Sequence, residues 1–573
     1  MLDHIREGRS NKEIAQRLDI SIDGVKFHVS EILSKLALEN RWDAARWAAS
    51  GGEEAHPWWL AATAPLLFWR KLSFDWLSPA LAGGLAVATA AGVGLLVWAL
   101  ITTRGDGDRA SMAVSVALAL PAGDKIAYIA GPPATPEANA APRAGDLWLI
   151  EAGRSPRRFT EGGDAHSPVW SPDGRGLLFF MGDELTLMES DGTLRSIETA
   201  VVSARWSPQG DRIAYWLEGR MELPDGEEGV STWGEVWAYD VASGEKERLL
   251  PEDFLVHDLA WSPNGRELAL ARYIQPVFEP PSELPNIRLS PDATLWLLTF
   301  KEDGSTDLRR LFSREEIAEA LPEMLRALNL GPTGVTDVTW SADGEWLGFR
   351  ATSLSASLAA DGLPFLTVRR EGTDLAYHGI MLRSPALRDW APEGHTLAIT
   401  LGGGRDVSMY KTIAIVAAGV PGVGVVGEDP TRYETTVAAG TPTPVSARSD
   451  AAPAWSPDGT RIAFQASEAG FPNLNSGKVE GPKEGIWVVD ANGANLRQLT
   501  SDPDYLDFYP RWSADGDLIL FIRTTPDRAE LWAMRPDGSE AKRLVSDLLR
   551  IGSYYGLFTW DELLAWHRAP ANP

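Results

Sequence analysis

Residues 455–465 read WSPDGTRIAFQ. Pro presets φ near that of a turn, Gly takes a positive φ without steric cost, and the flanking residues are apolar. The segment therefore predicts two strands around a tight turn. The same unit recurs as WSPDGRGLLFF (170–180), WSPQGDRIAYW (206–216), WSPNGRELALA (261–271), WSADGEWLGFR (340–350), WAPEGHTLAIT (390–400) and WSADGDLILFI (512–522). Fainter copies lie near Lys125 and Trp560.

A second unit follows most copies: DLWLIEAG (146–153), EVWAYDVASG (235–244), TLWLLTFKEDG (294–304), GIWVVDANG (485–493) and ELWAMRPDG (530–538). A short strand of the type RRFT, RLL or RQLT comes next. Four strands per repeat, with the Trp copies 36 to 79 residues apart, predict a β-propeller over residues 110–570. Eight blades are expected, with seven as the alternative because 351–385 is irregular. The last copy is expected to pair with the first. Packing of the repeated Trp between blades accounts for a total of 24. The repeats resemble the TolB-like propeller, whose mark is a Trp-Ser-Pro-Asp-Gly segment followed by Ile-Ala-Phe.

Residues 1–52 have a different pattern. Leu2, Ile5, Ile14, Leu18, Val25, Val29, Ile32, Leu33 and Leu36 recur at helical spacing. Ser10 and Glu13 form a capping-box pair, and Ser21 can cap a second helix. Two helices joined by a short turn predict a helix-turn-helix, so a small all-α domain. GRSNKEIAQRLDISIDGVKFHVSEILSKLALENRWDAARWA (8–48) resembles the LuxR-type helix-turn-helix. That resemblance implies a DNA partner, with Ser21, Asp23, Gly24, Lys26, Phe27, Ser30 and Lys35 on or near the contacting face. Lys26 is the leading contact, and Ser21 and Lys35 are candidates for phosphate. Two departures stand out. Gly24 replaces the pattern's Thr, at a cost of about 1 kcal/mol in helix propensity. The lead-in to the first helix is also short.

Between these regions, residues 79–101 read PALAGGLAVATAAGVGLLVWALI, without a charge. Twenty-three residues of helix reach about 35 Å, so one transmembrane helix is expected there, after a juxtamembrane linker at 53–78. Arg41, Arg46, Arg70 and Lys71 precede the run, which places the N-terminus in the cytoplasm and the propeller outside it. Gly84, Ala88 and Gly92 fall on one face and suggest a homodimer.

The net charge of −26 argues against the whole chain wrapping nucleic acid, although residues 1–50 are balanced at eight basic and eight acidic. The chain has no cysteine, which excludes thiolate catalysis and Cys-based metal sites. Neither a Gly-x-Ser-x-Gly turn nor a His-Glu-x-x-His pair occurs, so no enzyme, cofactor or metal is expected. The sequence therefore predicts a membrane-anchored, DNA-binding regulator whose propeller senses an extracytoplasmic ligand or protein. The alternative is an envelope scaffold, a protein-interaction propeller whose helix-turn-helix does not bind DNA.

Overall fold

The chain divides into two units, Met1–Thr103 and Arg104–Pro573. The computed structural model describes Arg17 of the first. In the second it describes 120–131, 144–222, 228–274, 277–279, 286–288, 290, 292–323, 325, 334–352, 362–402, 411–421, 424–425, 448–468, 484–525, 528–549 and 563–569.

The second unit is a succession of antiparallel sheets; among the described residues six are four-stranded meanders. Sheet one comprises Ala165–Trp170, Leu177–Met181, Glu184–Met188 and Leu194–Glu198. Sheet two is Val201–Trp206, Arg212–Leu217, Val236–Asp240 and Lys246–Arg248. Sheet three is Leu255–Trp261, Glu267–Tyr273, Leu295–Phe300 and Thr306–Arg310. Sheet four is Val335–Trp340, Trp346–Ala351, Leu363–Arg369 and Ala376–Met381. Sheet five is Arg388–Trp390, Thr396–Leu401, Thr412–Ala417 and Gly424–Val425. Sheet six is Arg448–Trp455, Arg461–Glu468, Glu484–Asp490 and Arg497–Gln498. Sheet seven, of eight strands, joins Leu506–Trp512, Ile519–Thr524, Ala529–Met534 and Lys542–Leu548 to Lys125–Ala130, Asp146–Glu151, Arg157–Arg158 and Leu564–His567. Leu564–His567 lies antiparallel to Lys125–Ala130, with Lys125 opposite His567.

The hairpin unit explains its own composition. In sheet six the Ser456 hydroxyl donates to Asp458 Oδ1 at 2.5 Å and accepts from Arg461 N at 2.9 Å. Asp458 Oδ1 also accepts from Thr460 N. These bonds hold the Asp458 carboxyl below its usual range. Gly459 completes the turn at φ +67°, a conformation that a side chain would strain. The Trp before each serine ties its sheet to the one before. Trp206 Nε1 donates to Val169 O (3.1 Å), Trp261 to Arg205 O (3.3 Å) and Trp340 to Ala260 O (3.0 Å). Trp455 donates to Asp389 O (3.1 Å) and Trp512 to Ala454 O (3.0 Å). Trp170 reaches Ala565 O (3.2 Å), in the strand at the far end of the unit. Apolar side chains fill the spaces between sheets. Ala463, Ile486 and Val488 of sheet six, for example, pack with Trp512, Ile519 and Phe521 of sheet seven.

Strand direction sorts the connections. First-to-second and third-to-fourth connections lie at one end of the sheets, the turn end, and none exceeds seven residues. Every connection of ten or more residues lies at the opposite, loop end: 131–145, 218–235, 274–294, 311–334, 352–362, 402–411, 426–447, 469–483 and 549–563. Two of them carry their own hairpins, Gly219–Glu222 with Glu228–Ser231 and Val277–Glu279 with Asn286–Arg288. A third carries the helix Arg314–Ala320, capped by Ser313 and Glu316.

Two expectations need correction. Among the described residues no sheet is closed into a propeller, with eight blades or with seven; every described sheet is open. The repeat specifies hairpins and their meanders, and local turn chemistry carries no instruction for closing a sheet on itself. The transmembrane helix at 79–101 lies outside the described residues, as do the linker at 53–78 and the pairing face at Gly84, Ala88 and Gly92. Among the described residues no helix is long and apolar enough to cross a membrane. Helix Arg314–Ala320, at seven residues, reaches only about 10 Å. No described helix supports the single-pass membrane partner or the division into cytoplasmic and extracytoplasmic halves. Length and hydropathy are necessary for a span but do not by themselves make one.

Candidate functional site

The first strands of several sheets carry a β-bulge three or four residues before the Trp. A bulge takes a residue out of the ladder and re-aims its side chain. In four sheets that stretch includes a left-handed residue: Ser167, Asp337, Ala452 and Tyr509, all with φ between +51° and +52° except Asp337 at +54°. Sheets three and four depart chemically, because they place His257-Asp258 and Asp337 there. Together with Arg350, Arg383 and Arg388 these residues form a charged cluster at the loop end of three consecutive sheets.

Asp258 is buried. Its Oδ2 accepts from Val338 N of the next sheet at 2.8 Å, and its Oδ1 accepts from Leu259 N at 2.9 Å. Burial pushes its carboxyl up, against the pull of Arg205. His257 Nε2 donates to Val335 O, and its Nδ1 is buried without a partner. Burial pulls the His257 imidazole below its ordinary value of 6.5, against Asp258, Asp337 and the Val335 carbonyl, and with the help of Arg383.

Asp337 accepts from both Nε and Nη2 of Arg350. Burial works to raise the Asp337 carboxyl, but Arg350, then Arg388 and Arg383, together hold it below the usual range. Arg350 is 1% exposed. Burial pulls its guanidinium below its ordinary value despite Asp337, and Arg388 and Arg383 add to that pull. Arg388 Nη2 donates to Asp337 O at 3.1 Å. Arg350 Nη1 and Arg388 Nη1 are both buried and unpartnered. Arg383 is exposed.

A second buried pair provides a contrast. Arg523 Nε and Nη2 meet the two oxygens of Asp507 at 2.7 and 2.8 Å. Its guanidinium lies over Trp532 (4.5 Å) and Tyr505 (4.9 Å). Although burial pulls the other way, the Asp507 bonds hold Arg523 above its ordinary value. That pair is a closed, satisfied unit; the Arg350 cluster has donors left over. Among the described residues no group of three His, Asp or Glu could hold a metal.

The residues expected to contact DNA (Ser21, Asp23, Gly24, Lys26, Phe27, Ser30 and Lys35) lie outside the described residues. Arg17, within the first expected helix, is helical and exposed. Sequence reading missed the arginine cluster. Its signal was the pair HDLAW (257–261) and TDVTW (336–340), which place Asp where other copies have Ser, Leu, Ala or Tyr.

Residues 1–48 match the model of the family described as bacterial regulatory proteins, luxR family. A stretch of 58 residues is 43% identical to the Tol-Pal system protein TolB of Anaeromyxobacter dehalogenans (strain 2CP-1 / ATCC BAA-258). The match spans 10% of this chain and 10% of that protein. Among solved structures, the dihydro-heme d1 dehydrogenase NirN in complex with DHE aligns at 13% identity with a TM-score of 0.45, over 76% of each chain. TolB from Acinetobacter baumannii aligns at 11% identity with a TM-score of 0.27, over 74% of this chain and 80% of that one. At such scores neither likeness bears on function.

Two predictions follow from the cluster. Asn tolerates the left-handed backbone of Asp337, so Asp337→Asn removes charge with little change of shape. It leaves Arg350 buried and uncompensated, and should cost about 3–5 kcal/mol in urea unfolding. Acidification tests His257. Its folded value lies below 6.5, so the unfolded chain takes up the proton first, and stability present above pH 6.5 is lost as the pH falls through the folded value. The melting temperature of the wild type should fall more between pH 7 and pH 5 than that of His257→Gln. Asp258, shifted upward, has the opposite sign but is common to both proteins.

Proposed function

We propose that this chain is a protein-interaction scaffold, with its docking surface on the loop end of the β unit. The observation that carries this reading is the asymmetry of the connections: none above seven residues at the turn end, every one of ten or more at the loop end. Long inserts on a rigid frame are where recognition concentrates. The stretch 43% identical to a Tol-Pal system protein supports assembly work over catalysis, and the reading assigns the chain no catalytic step. The helix-turn-helix segment serves as a contact element and does not read DNA. Gly24, in place of the pattern's Thr, favours this.

A photo-crosslinking side chain introduced at Asp183 or Pro385, both exposed at the loop end, should give a discrete partner adduct in cells. The same group at Glu302 or Asp537, exposed at the turn end, should not. Equal adducts from both ends would remove the basis of the proposal. For the N-terminal segment, the full chain titrated into labelled random-sequence duplex at 50–200 mM salt should show no steep loss of affinity with salt. A linear fall of log affinity with log salt would mean that phosphates are being contacted, and would overturn that half.

A further inference from the structure

The Arg350 cluster has more cation than its own carboxylates neutralise. Arg350, Arg383 and Arg388 bring three guanidinium charges. Asp337 offsets one, and Asp258 is already engaged by two backbone N–H groups. A surplus of one to two positive charges remains, next to a His257 that burial keeps neutral. The donors Arg350 Nη1 and Arg388 Nη1 are buried and bond to nothing. A buried guanidinium N–H left unpaired is costly, so a group that meets it binds there with advantage. The cluster is not sealed: Arg383 is exposed, and His257 and Arg388 are partly so.

We infer that Arg350, Arg388 and Arg383 form a binding site for a carboxylate, at the loop end of sheets three to five. A carboxylate suits the site better than a phosphate dianion for two reasons. Its single charge stays within the surplus of one to two, and it places less negative charge beside Asp337 and Asp258. Its two oxygens suit the planar donors of arginine. The unprotonated Nδ1 of His257 adds an unspent acceptor to the same cluster, so a carboxylate whose carrier also has an N–H to donate suits it further. The inference stands on these residues and does not depend on the docking surface proposed above.

The test is calorimetric titration of the full chain, at constant ionic strength, with four probes: acetate, an acetylated Gly-Gly-Glu-Gly-Gly amide, inorganic phosphate and sodium chloride. Saturable binding of acetate or the peptide is expected, with phosphate at least fivefold weaker and chloride silent. Tighter binding of the peptide identifies a polypeptide as the source of the carboxylate, and tighter binding of acetate identifies a small acid. Either supports the site. Arg388→Gln should weaken the preferred probe at least tenfold. Arg383→Gln changes an exposed side chain, leaves the fold intact and should weaken binding about three- to tenfold, so the test survives if Arg350 or Arg388 variants fail to fold. Absence of saturable carboxylate binding, affinity unchanged in Arg383→Gln, or phosphate binding as tightly as the carboxylates would each overturn the assignment.

Discussion

The hydrogen bond from each repeated indole to the preceding sheet is the constraint on which the β unit depends. A four-stranded meander has one apolar face too many, and it must lie against a neighbour to bury that face. Apolar packing alone does not set the distance or the register of two sheets. A Trp N–H that meets a carbonyl of the neighbouring sheet sets both, because the bond is directional and the ring is rigid. The same geometry recurs from Trp206→Val169 to Trp512→Ala454, except that Trp390 bonds the Thr339 hydroxyl, and the serine that follows every Trp but Trp390 holds the hairpin that presents it. The tie from Trp170 to Ala565 uses the same bond across 395 positions of sequence, so it too is specified by a side chain and not by proximity along the chain.

The two arginine clusters show what a buried charge can mean. Arg523 has a bidentate carboxylate and aromatic faces, and burial costs are met within the fold. Arg350 shares one carboxylate with two other arginines that feel the same field. Arg350 is the more deeply buried and has donors left over, and the two guanidinium groups shift in opposite directions. The difference lies in what surrounds each pair, so a list of ion pairs ranks them alike while the leftover donors do not.

The hairpins, the meander order and the bridging role of Trp were legible in the sequence, because Trp-Ser-Pro-Asp-Gly encodes a local conformation. The closed propeller was not legible, since closure depends on no local residue and the described sheets remain open. The transmembrane reading rested on length and hydropathy at 79–101, whereas no described helix has the length and apolarity to cross a membrane. The charged cluster was half legible. Asp258 and Asp337 break the repeat at a fixed offset from Trp261 and Trp340, but Arg350, Arg383 and Arg388 sit in a second strand, a connection and a strand start. Only the packing of three sheets brings them together, and a pattern read along one chain direction does not contain that.

The antiparallel pairing of Lys125–Ala130 with Leu564–His567 has a consequence for synthesis. Trp566 and the Asp124 that it contacts are 442 positions apart. At about 5–20 residues per second, the ribosome needs on the order of half a minute to a minute and a half to deliver the partner of a strand already made. Until then the edge of Lys125–Ala130 has unpaired N–H and C=O groups, a template for wrong pairing. The middle sheets close through short-range hairpins and can form as they emerge, whereas the sheet that holds both ends must wait. Nascent chains of this protein are therefore most exposed to misassembly, and most dependent on chaperones, at the strand made first.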